Sequence, residues 1–548
     1  MSTEAASLSS GPDSSAAELA APDIARPRLD RRTGPGTVSI FVALLVIGIG
    51  YTCYSLVSDV GASGMRASHW LPFVLLGVAL VIALGFEFVN GLHDTANAVA
   101  TVIYTHSLPP HVAVVWSGLF NFAGVLVSSG AVAFGIISLL PVELILQVGS
   151  SAGFAMVFAL LIAAIIWNFG TWWLGLPASS SHTMVGSIIG VGVANALMHG
   201  RDGTSGVDWG QATKVGYSLL VSPLVGFVFA ALLLFVLRKF VKNKELYAAP
   251  KGNKPPPWWV RSLLVLTCTG VSFAHGSNDG QKGMGLIMLI LVGTVPTAYA
   301  LNRAMPAHET AQFAAVAQAT HDSLLKVAAN DPVSEPDART VLSDYVRTKQ
   351  AGSQTIPALA TLVGSISTEV NEHGSLLAMP AAAVGNVRND MYLASESIRD
   401  LQKDPKISFD AAAKRNLAAF KSEIDDATKF IPLWVKVVVA IALGLGTMVG
   451  WKRIVITVGE KIGKSHLTYA QGASAEVVAM LTIGAADSFG LPVSTTHVLA
   501  SGVAGTMAAN RSGLQMTTLR NLAMAWVFTL PAAMILSGSL YWVFRHVF

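Results

Sequence analysis

The stretch Glu87–Tyr104, EFVNGLHDTANAVATVIY, decides the fold of this chain. It places His93 and Asp94 within apolar sequence, where a buried charge costs several kcal/mol in a bilayer, so the pair predicts a functional site. Asn90 and Gly91 separate one apolar run from the next. We therefore expect two half-helices that meet in mid-membrane, with free backbone N–H groups of the second half facing a bound anion.

The motif occurs again 185 residues later, as AHGSNDGQKGMG at Ala274–Gly285. A second element is also duplicated, as LPASSSHT at Leu176–Thr183 and LPVSTTH at Leu491–His497, with an offset of 315. The offsets differ by 130, which indicates an insertion in the second half, and the polar segment 300–430 supplies it. The aligned pairs are Gly91 with Gly276, His93 with Asn278, Asp94 with Asp279, Asn97 with Lys282, and His182 with His497.

Composition indicates an all-α polytopic membrane protein. The chain has 548 residues, of which 52% are hydrophobic and 12% charged, and its mean hydropathy is +0.56. These values lie outside the range of soluble globular domains. The net charge of +4 is modest and its basic residues flank apolar runs, so nucleic acid is not an expected partner. Cys53 and Cys268 lie far apart in apolar segments, which favours neither a disulfide nor a zinc site.

The positive-inside rule orders the apolar segments. The segment between the halves carries five lysines against a single glutamate and is therefore predicted to be cytoplasmic. Segment 178–198 suits a span or a re-entrant hairpin, but only a span places the Arg-rich tail in the cytoplasm as well. The resulting prediction is two inverted-topology repeats of five crossings each, with broken helices meeting at the midplane, plus one extra N-terminal helix. The predicted crossings are 38–57, 72–104, 112–140, 152–174, 178–198, 215–237, 260–297, 431–450, 470–489, 491–509 and 521–544.

The predicted organisation follows from these spans. The expected units are a disordered cytoplasmic tail (1–36), an extra transmembrane helix (37–60), the first repeat (72–238), a basic cytoplasmic loop (239–259), the start of the second repeat (260–298), an extracytoplasmic helical insert (299–430) and the rest of the second repeat (431–548).

The second duplicated element places hydroxyls after a proline at a predicted helix start. Such hydroxyls, together with free N–H groups, suit a tetrahedral oxyanion. The predicted anion-binding hydroxyls are those of Ser179, Ser180, Ser181, Thr183, Ser494, Thr495 and Thr496. Further candidates for the anion are Gly91, Gly276, Asn97 and Lys282, and Lys282 could instead neutralise Asp279.

Asp94 and Asp279 would repel a dianion unless a proton, a sodium ion or a divalent metal lies between them. The site therefore predicts cation coupling. Glu87 and Asp487 are additional intramembrane acids, and each of these polar residues could instead serve only helix packing or capping. The candidates for cation coupling are Asp94, Asp279, His93, Asn278, Asn90, His182, His497 and Glu476.

Four stretches resemble the duplicated signatures of the PiT family of inorganic phosphate transporters: NGLHDTANAVATVIYT, HGSNDGQKGMG, GLPASSSHT and LPVSTTHVLASGVAGTM. The similarity runs from about residue 72 to the C-terminus and is closest to the bacterial low-affinity, proton-coupled branch, which also has His–Asp in its first signature. The resemblance implies symport of phosphate, including neutral divalent metal–phosphate complexes. It also implies a homodimeric carrier in the lipid bilayer of the bacterial inner membrane, without a cofactor.

Other functions make different demands on the sequence. Within transport, the alternative is a sodium-coupled carrier of phosphate or of another oxyanion such as sulfate. An intramembrane hydrolase could use Ser181, His182 and an aspartate, but a catalytic nucleophile needs one asymmetric site and both halves here carry the same groups. A receptor built around the insert would not need the midplane acids. We therefore expect a transporter and not an enzyme.

Overall fold

The computed structural model describes residues 27, 29, 35–63, 70–140, 144–145, 150–250, 252, 254–328 and 333–547, without the side chains of residues 37, 95–97 and 307. Most of the predicted tail, 1–36, and the side chain of Asn97 therefore lie outside the described part. The described residues form helices and connecting loops, with an isolated backbone bridge between Gly463 and Leu514. The predicted all-α class is confirmed.

In the described part of the first half, seven α-helices have defined bounds. Prolines at the first positions start α2 and α3, and the side chains of Ser150 and Asp208 cap the N-termini of α5 and α7. Gly130, at φ 90°, turns the chain between α3 and α4, so the predicted single segment 112–140 consists of two helices. The helices are α1 (Pro35–Ala62), α2 (Leu71–Tyr104), α3 (Pro110–Val127), α4 (Ala131–Ile137), α5 (Ser151–Trp173), α6 (Ser180–Met198) and α7 (Trp209–Phe240).

The second half begins with α8, and a set of shorter helices follows it. A short π-helix, Thr457–Lys461, lies between α16 and α17. The helices are α8 (Trp258–Thr294), α9 (Pro296–Tyr299), α10 (Ala307–Val327), α11 (Glu335–Thr348), α12 (Thr355–His373), α13 (Ala381–Leu401), α14 (Ala411–Thr428), α15 (Leu433–Met448), α16 (Lys452–Ile456), α17 (Tyr469–Ser488), α18 (Thr495–Ala509) and α19 (Met516–Val547).

The insert, α10–α14, has its own hydrophobic core, in which the Phe313 and Phe420 rings lie 5.6 Å apart. Polar contacts tie it to α7. Arg399 in α13 forms an ion pair of 2.9 Å with Asp208, the N-cap of α7, and Lys349 lies 3.8 Å from the same carboxylate. Next to the insert, Asp59 in α1 accepts hydrogen bonds from Tyr299 in α9 and from Trp434 in α15. Ion pairs to Asp208 therefore help to hold the insert against α7.

Seven helices of the described part are long and apolar enough to cross a membrane: α1, α2, α3, α5, α6, α7 and α19. Helices α14 and α15 would form an eighth span only as a pair, and that pair is bent by 67°. The other predicted crossings correspond to helices that do not meet this criterion. Polar residues lower the hydropathy of α8 and α17, whereas α15 and α18 have only 16 and 15 residues.

Helices α2 and α8 are continuous through Gly91 and Gly276, so the predicted break in mid-membrane is wrong. The two glycines allow close packing instead. A Cβ at Gly91 would overlap the carbonyl oxygen of Leu443 in α15, and one at Gly276 would overlap that of Asn121 in α3. Their backbone N–H groups lie inside regular helix, which also contradicts their predicted part in anion binding. The helix starts inside the protein are at Ser180 and Thr495.

Helices of one half pack mainly against helices of the other half. Helix α2 lies on α15, α3 on α8, α6 on α19, and α18 on α7. Glycines bring these backbones together: a Cβ at Gly190 would overlap Met534 in α19, and one at Gly505 would overlap Phe227 in α7. The two halves therefore interleave rather than lie side by side.

Candidate functional site

Two helix N-termini lie buried at the centre of the protein. Ser179 and Ser494 are the N-cap residues of α6 and α18, and their side chains accept hydrogen bonds from the backbone N–H groups of His182 and His497. Each helix follows a Leu-Pro pair, as predicted for a helix start. Because the first N–H groups of a helix have no partner within the helix, the two starts form an electropositive region.

Asp94 joins both helix starts. The hydroxyl of Ser180 in α6 donates a hydrogen bond of 2.7 Å to Asp94 Oδ2, and the hydroxyl of Thr496 in α18 donates to Oδ1. His93 Nδ1 lies 3.3 Å from the same Oδ1. Asp94 is buried, with 3% of its surface exposed. A carboxylate from α2 therefore receives hydroxyl donors from both halves of the chain.

Asp279 has a parallel set of partners on α8. The Lys282 ammonium lies 2.7 Å from Asp279 Oδ1, and the Thr495 hydroxyl donates to Oδ2 at 3.3 Å. His275 Nε2 lies 3.4 Å from Oδ2. Lys282 and Asp279 are both fully buried. Thr495 and Ser180 occupy equivalent positions in the duplicated element and donate to different aspartates, while the start of α18 also reaches Asp94 through Thr496.

Sequence reasoning missed His275, which lies in the centre of the site. Ligand atoms of Asp94, His275 and Asp279 all lie within 4.8 Å of one another, a separation that one cation could bridge. His275 Nδ1 contacts the amide oxygen of Asn121 at 2.8 Å, which orients the ring. The available signal was the spacing of His275 and Asp279, because residues four apart share a helix face. The expected break at Gly276 hid that relationship.

Charge balance explains what this site can hold. Among the described residues of the cluster, two buried carboxylates face one buried ammonium, that of Lys282, so these residues are one positive charge short before any histidine is protonated. An uncompensated buried charge is costly. A bound cation or proton would complete the balance, and an anion could enter only together with it.

Several predicted residues hold the scaffold around the cluster. Asn278 donates to the Leu491 carbonyl and accepts from the Val493 N–H, which fixes the loop before α18. Ser181 also binds this loop, donating to the Val493 carbonyl at 2.7 Å. Thr183 donates to the amide oxygen of Asn168 in α5. These hydroxyl and amide groups position the two helix starts and are not directed at the carboxylates.

His182 and His497, predicted to take part in cation coupling, lie beside each other. Their ring centroids are 4.7 Å apart, and His497 also stacks on Trp526 of α19 at 4.1 Å. His182 Nδ1 contacts the Ser179 hydroxyl at 2.8 Å. The structure therefore brings the duplicated histidines together, near the hydroxyls at the starts of α6 and α18 that reach the aspartates.

Glu476 lies away from the carboxylate cluster, although the sequence pattern grouped it there. It accepts a hydrogen bond from Thr267, three helical turns before Asp279 in α8. Asn90, another predicted coupling residue, points to Glu87, to which its amide donates at 3.3 Å. Asp487 accepts hydrogen bonds of 2.6 Å from Ser277 and Gln281. None of these contacts reaches Asp94 or Asp279.

A sequence profile of the Phosphate transporter family matches residues 90–537. The chain belongs to the phosphate transporter family. It is 44% identical over 486 residues to the low-affinity inorganic phosphate transporter PitA of Escherichia coli K12, covering 86% of this chain and 96% of PitA. It is 42% identical to PitB of the same organism over 487 residues, with the same coverage. A solved structure of the sodium-dependent phosphate transporter aligns with a TM-score of 0.48 and 20% identity, covering 87% of this chain and 100% of that chain.

Membership of the phosphate transporter family excludes the hydrolase interpretation, since these homologues are transporters and not enzymes. The family match begins at Asn90 and ends at Ser537, so it includes both copies of each duplicated element. Helix α1 precedes the match. In this phosphate transporter family member, the duplicated elements are the parts that meet at the buried carboxylates.

Proposed function

We propose that this protein imports inorganic phosphate by proton symport, with phosphate carried free or as a neutral divalent metal–phosphate complex. The observation that carries the proposal is the position of Asp94. It accepts hydrogen bonds from the hydroxyls of Ser180 and Thr496, which lie at the starts of two helices from opposite halves of the chain. Helix starts and hydroxyls suit phosphate, whereas the aspartates require a cation. The names of PitA and PitB support the same substrate.

The geometry suggests how cation and anion binding depend on each other. In this structure the hydroxyls of Ser180, Thr495 and Thr496 donate hydrogen bonds to the two aspartates. A cation bound by Asp94, Asp279 and His275 would be coordinated by the carboxylate oxygens that now accept these hydrogen bonds. The hydroxyls could then rotate and donate to phosphate oxygens, in concert with the N–H groups of α6 and α18. Phosphate binding would thus follow cation binding.

The proposed architecture is a pair of inverted-topology repeats. Its support is reciprocal packing, since α6 lies on α19 of the other half while the equivalent α18 lies on α7. The N-terminus and the loop at 239–259 would then be cytoplasmic and the insert extracytoplasmic. By likeness to the bacterial relatives, we place the carrier in the inner membrane and propose that it is a homodimer.

Reconstituted transport tests the function. The purified protein is placed in proteoliposomes, and uptake of labelled phosphate is measured under an imposed pH gradient, an imposed sodium gradient, or neither, with and without magnesium. Uptake driven by the pH gradient and competed by unlabelled phosphate but not by sulfate is expected. Uptake that follows only the sodium gradient would replace proton coupling with the sodium-coupled alternative. Sulfate competition equal to that of phosphate would overturn the assigned substrate.

A further inference from the structure

Glu87 is a buried acid outside the cluster of Asp94, Asp279 and His275. It lies on α2 seven residues before Asp94, two helical turns away and about 10.5 Å along the axis on the same face. Its Oε2 accepts the hydrogen bond from Asn90, and its Oε1 is buried without a hydrogen-bond partner in the described part of the chain. No ion pair of Glu87 within 4.0 Å occurs among the described residues.

Helix α8 leaves a notch that the Glu87 side chain fills. A Cβ at Gly283 would overlap the Cγ and Oε1 atoms of Glu87, so this carboxyl fits only because residue 283 is glycine. The residue before Gly283 is Lys282, so Glu87 packs against α8 next to the Lys282–Asp279 ion pair. The groups that face Glu87 are therefore Asn90 on its own helix and Lys282 and Asp279 on α8.

The Lys282 ammonium is thus the buried cation of α8 in a region with two carboxyl groups, those of Asp279 and Glu87. In the described arrangement Lys282 is paired with Asp279 at 2.7 Å, which leaves Glu87 without a cation. A buried carboxylate without a cation is strongly destabilised. Glu87 is therefore accommodated as the neutral acid while Lys282 is engaged elsewhere, and a Glu87 carboxylate would have Lys282 as its nearest partner.

We propose that Glu87 binds the coupling proton and that its protonation decides whether Lys282 is available to phosphate. This inference rests on the proposed proton-coupled function. With Glu87 protonated, a cation arriving at Asp94 and Asp279 displaces Lys282, and its ammonium turns to the phosphate. Proton, cation and phosphate then load together.

Release follows from the loss of one proton. On the opposite side of the membrane the O–H bond of Glu87 breaks and the proton passes to water, leaving a carboxylate. That carboxylate attracts Lys282, which keeps its own three N–H bonds throughout. Phosphate thereby loses its ammonium partner and dissociates. The cation leaves Asp94 and Asp279 together with phosphate, and the empty carrier returns with the Glu87 carboxylate paired to Lys282. Reprotonation of Glu87 on the first side then lets Lys282 return to Asp279, so one proton crosses in each cycle.

The variant Glu87→Gln mimics the protonated acid permanently and tests the inference in proteoliposomes. Net phosphate uptake driven by a pH gradient should fall to the background of protein-free vesicles. Exchange of internal for external phosphate should persist, because the loaded carrier can still cross. Because phosphate itself titrates between about pH 6 and about pH 8, the two proteins are compared by the ratio of their exchange rates at these values: exchange by the unaltered protein should slow at the higher pH by a larger factor than exchange by Glu87→Gln. Glu87→Asp, which retains a titratable group, should recover gradient-driven uptake.

The outcomes separate this inference from the proposed function. If the unaltered protein shows no uptake driven by a pH gradient, proton coupling itself fails. If the unaltered protein is coupled and Glu87→Gln keeps gradient-driven uptake with the same pH dependence, Glu87 does not carry the proton. A Glu87→Gln protein that elutes as a single folded species but has lost exchange would also overturn the inference, because the neutral side chain should leave Lys282 free for phosphate.

Discussion

The Thr496 hydroxyl donates a hydrogen bond to Asp94, although 402 positions separate the two residues. The same carboxylate accepts the Ser180 hydroxyl at 2.7 Å from the first half. Asp94 therefore depends on both copies of the second duplicated element, and the site exists only when the two halves are assembled. Changes in either half should consequently affect the same ligand.

Removing one hydroxyl from each half should weaken phosphate binding cumulatively. A hydrogen bond to a charged group contributes on the order of 1.5 to 3 kcal/mol, about tenfold to a hundredfold in affinity. Ser180→Ala combined with Thr495→Ala should therefore raise half-saturation for phosphate more than either change alone. The matched control is Ser187→Ala on the same helix, whose hydroxyl has no hydrogen-bond partner in the described part of the chain. Equal half-saturation in the double variant and in the unaltered protein would contradict the prediction.

Replacing the aspartates should affect net phosphate uptake and phosphate exchange differently. Asp94→Asn keeps the size and the hydrogen-bonding capacity of the side chain but removes the charge that a cation must balance. Net uptake should be abolished. If Asp94 only releases a proton as the empty carrier returns, exchange by the variant will persist. If Asp94 binds a metal together with phosphate, the variant will lose exchange as well, and exchange by the unaltered protein will depend on magnesium.

Asp279→Asn needs a different design, because it leaves Lys282 buried without an anion. Removal of one partner of a buried ion pair costs about 3 to 5 kcal/mol. The single variant should therefore be poorly folded, and Asp279→Asn combined with Lys282→Met should recover thermal stability without recovering net uptake. Asp59→Asn, at the edge of the membrane helices, controls for loss of a carboxylate outside the site. Net uptake at the unaltered rate in the Asp94 and Asp279 variants would make these carboxylates structural.

Replacing each of two glycines on α2 by alanine should have different effects on the stability of the protein. A Cβ at Gly91 would overlap the Leu443 carbonyl, whereas a Cβ at Gly77 would have no atom within 4 Å. Alanine favours a helix over glycine by about 1 kcal/mol where space allows. Gly91→Ala should therefore lower the melting temperature in detergent, and Gly77→Ala should leave it unchanged or raise it. Equal melting temperatures would show that α2 and α15 tolerate a wider separation.

Packing of the insert against α7 should depend on Asp208 and should weaken at low pH. Burial alone would raise the pKa of Asp208, but the Gln211 N–H, Lys349 and Arg399 together hold it below the ordinary value. A lowered pKa in the folded protein gives stability that is complete above the unfolded pKa and is lost as pH falls through the folded one. The ion pair with Arg399 should therefore weaken below about pH 4.

Hydrogen exchange of α13 measures this docking. Asp208→Asn keeps a good N-cap for α7 while removing the charge, so α13 should exchange faster at neutral pH and lose the acid dependence. Asp344→Asn is the control, because Asp344 pairs with Arg347 within the insert. Unchanged exchange in Asp208→Asn would assign the docking to apolar contacts instead.

Sequence alone indicated which residues lie together better than it indicated their backbone. The duplicated motifs grouped Asp94, Asp279 and hydroxyls after each proline, because a carboxylate repeated within apolar sequence is too costly in a membrane to serve packing alone, and the structure brings Ser180, Thr495 and Thr496 to these carboxylates. The break at Gly91 was wrong, since a glycine that ends a helix and one that admits a neighbouring backbone look alike until the neighbour is known. His275 was missed for the same reason. The eleven expected crossings were likewise inferred from the length of apolar segments. Helix α8 does not meet the length and hydropathy criterion for a span, because it carries the polar residues of the site.

The glycine contacts between α6 and α19, and between α18 and α7, have a mechanical consequence. Backbones in such close contact separate only at the cost of a void, so we expect each pair to move as a unit. A path to either side of the membrane would then open between the two pairs, where hydroxyl and carboxylate groups join α6 and α18 to α2 and α8. We therefore expect exchange of these few hydrogen bonds to contribute to the barrier to transport.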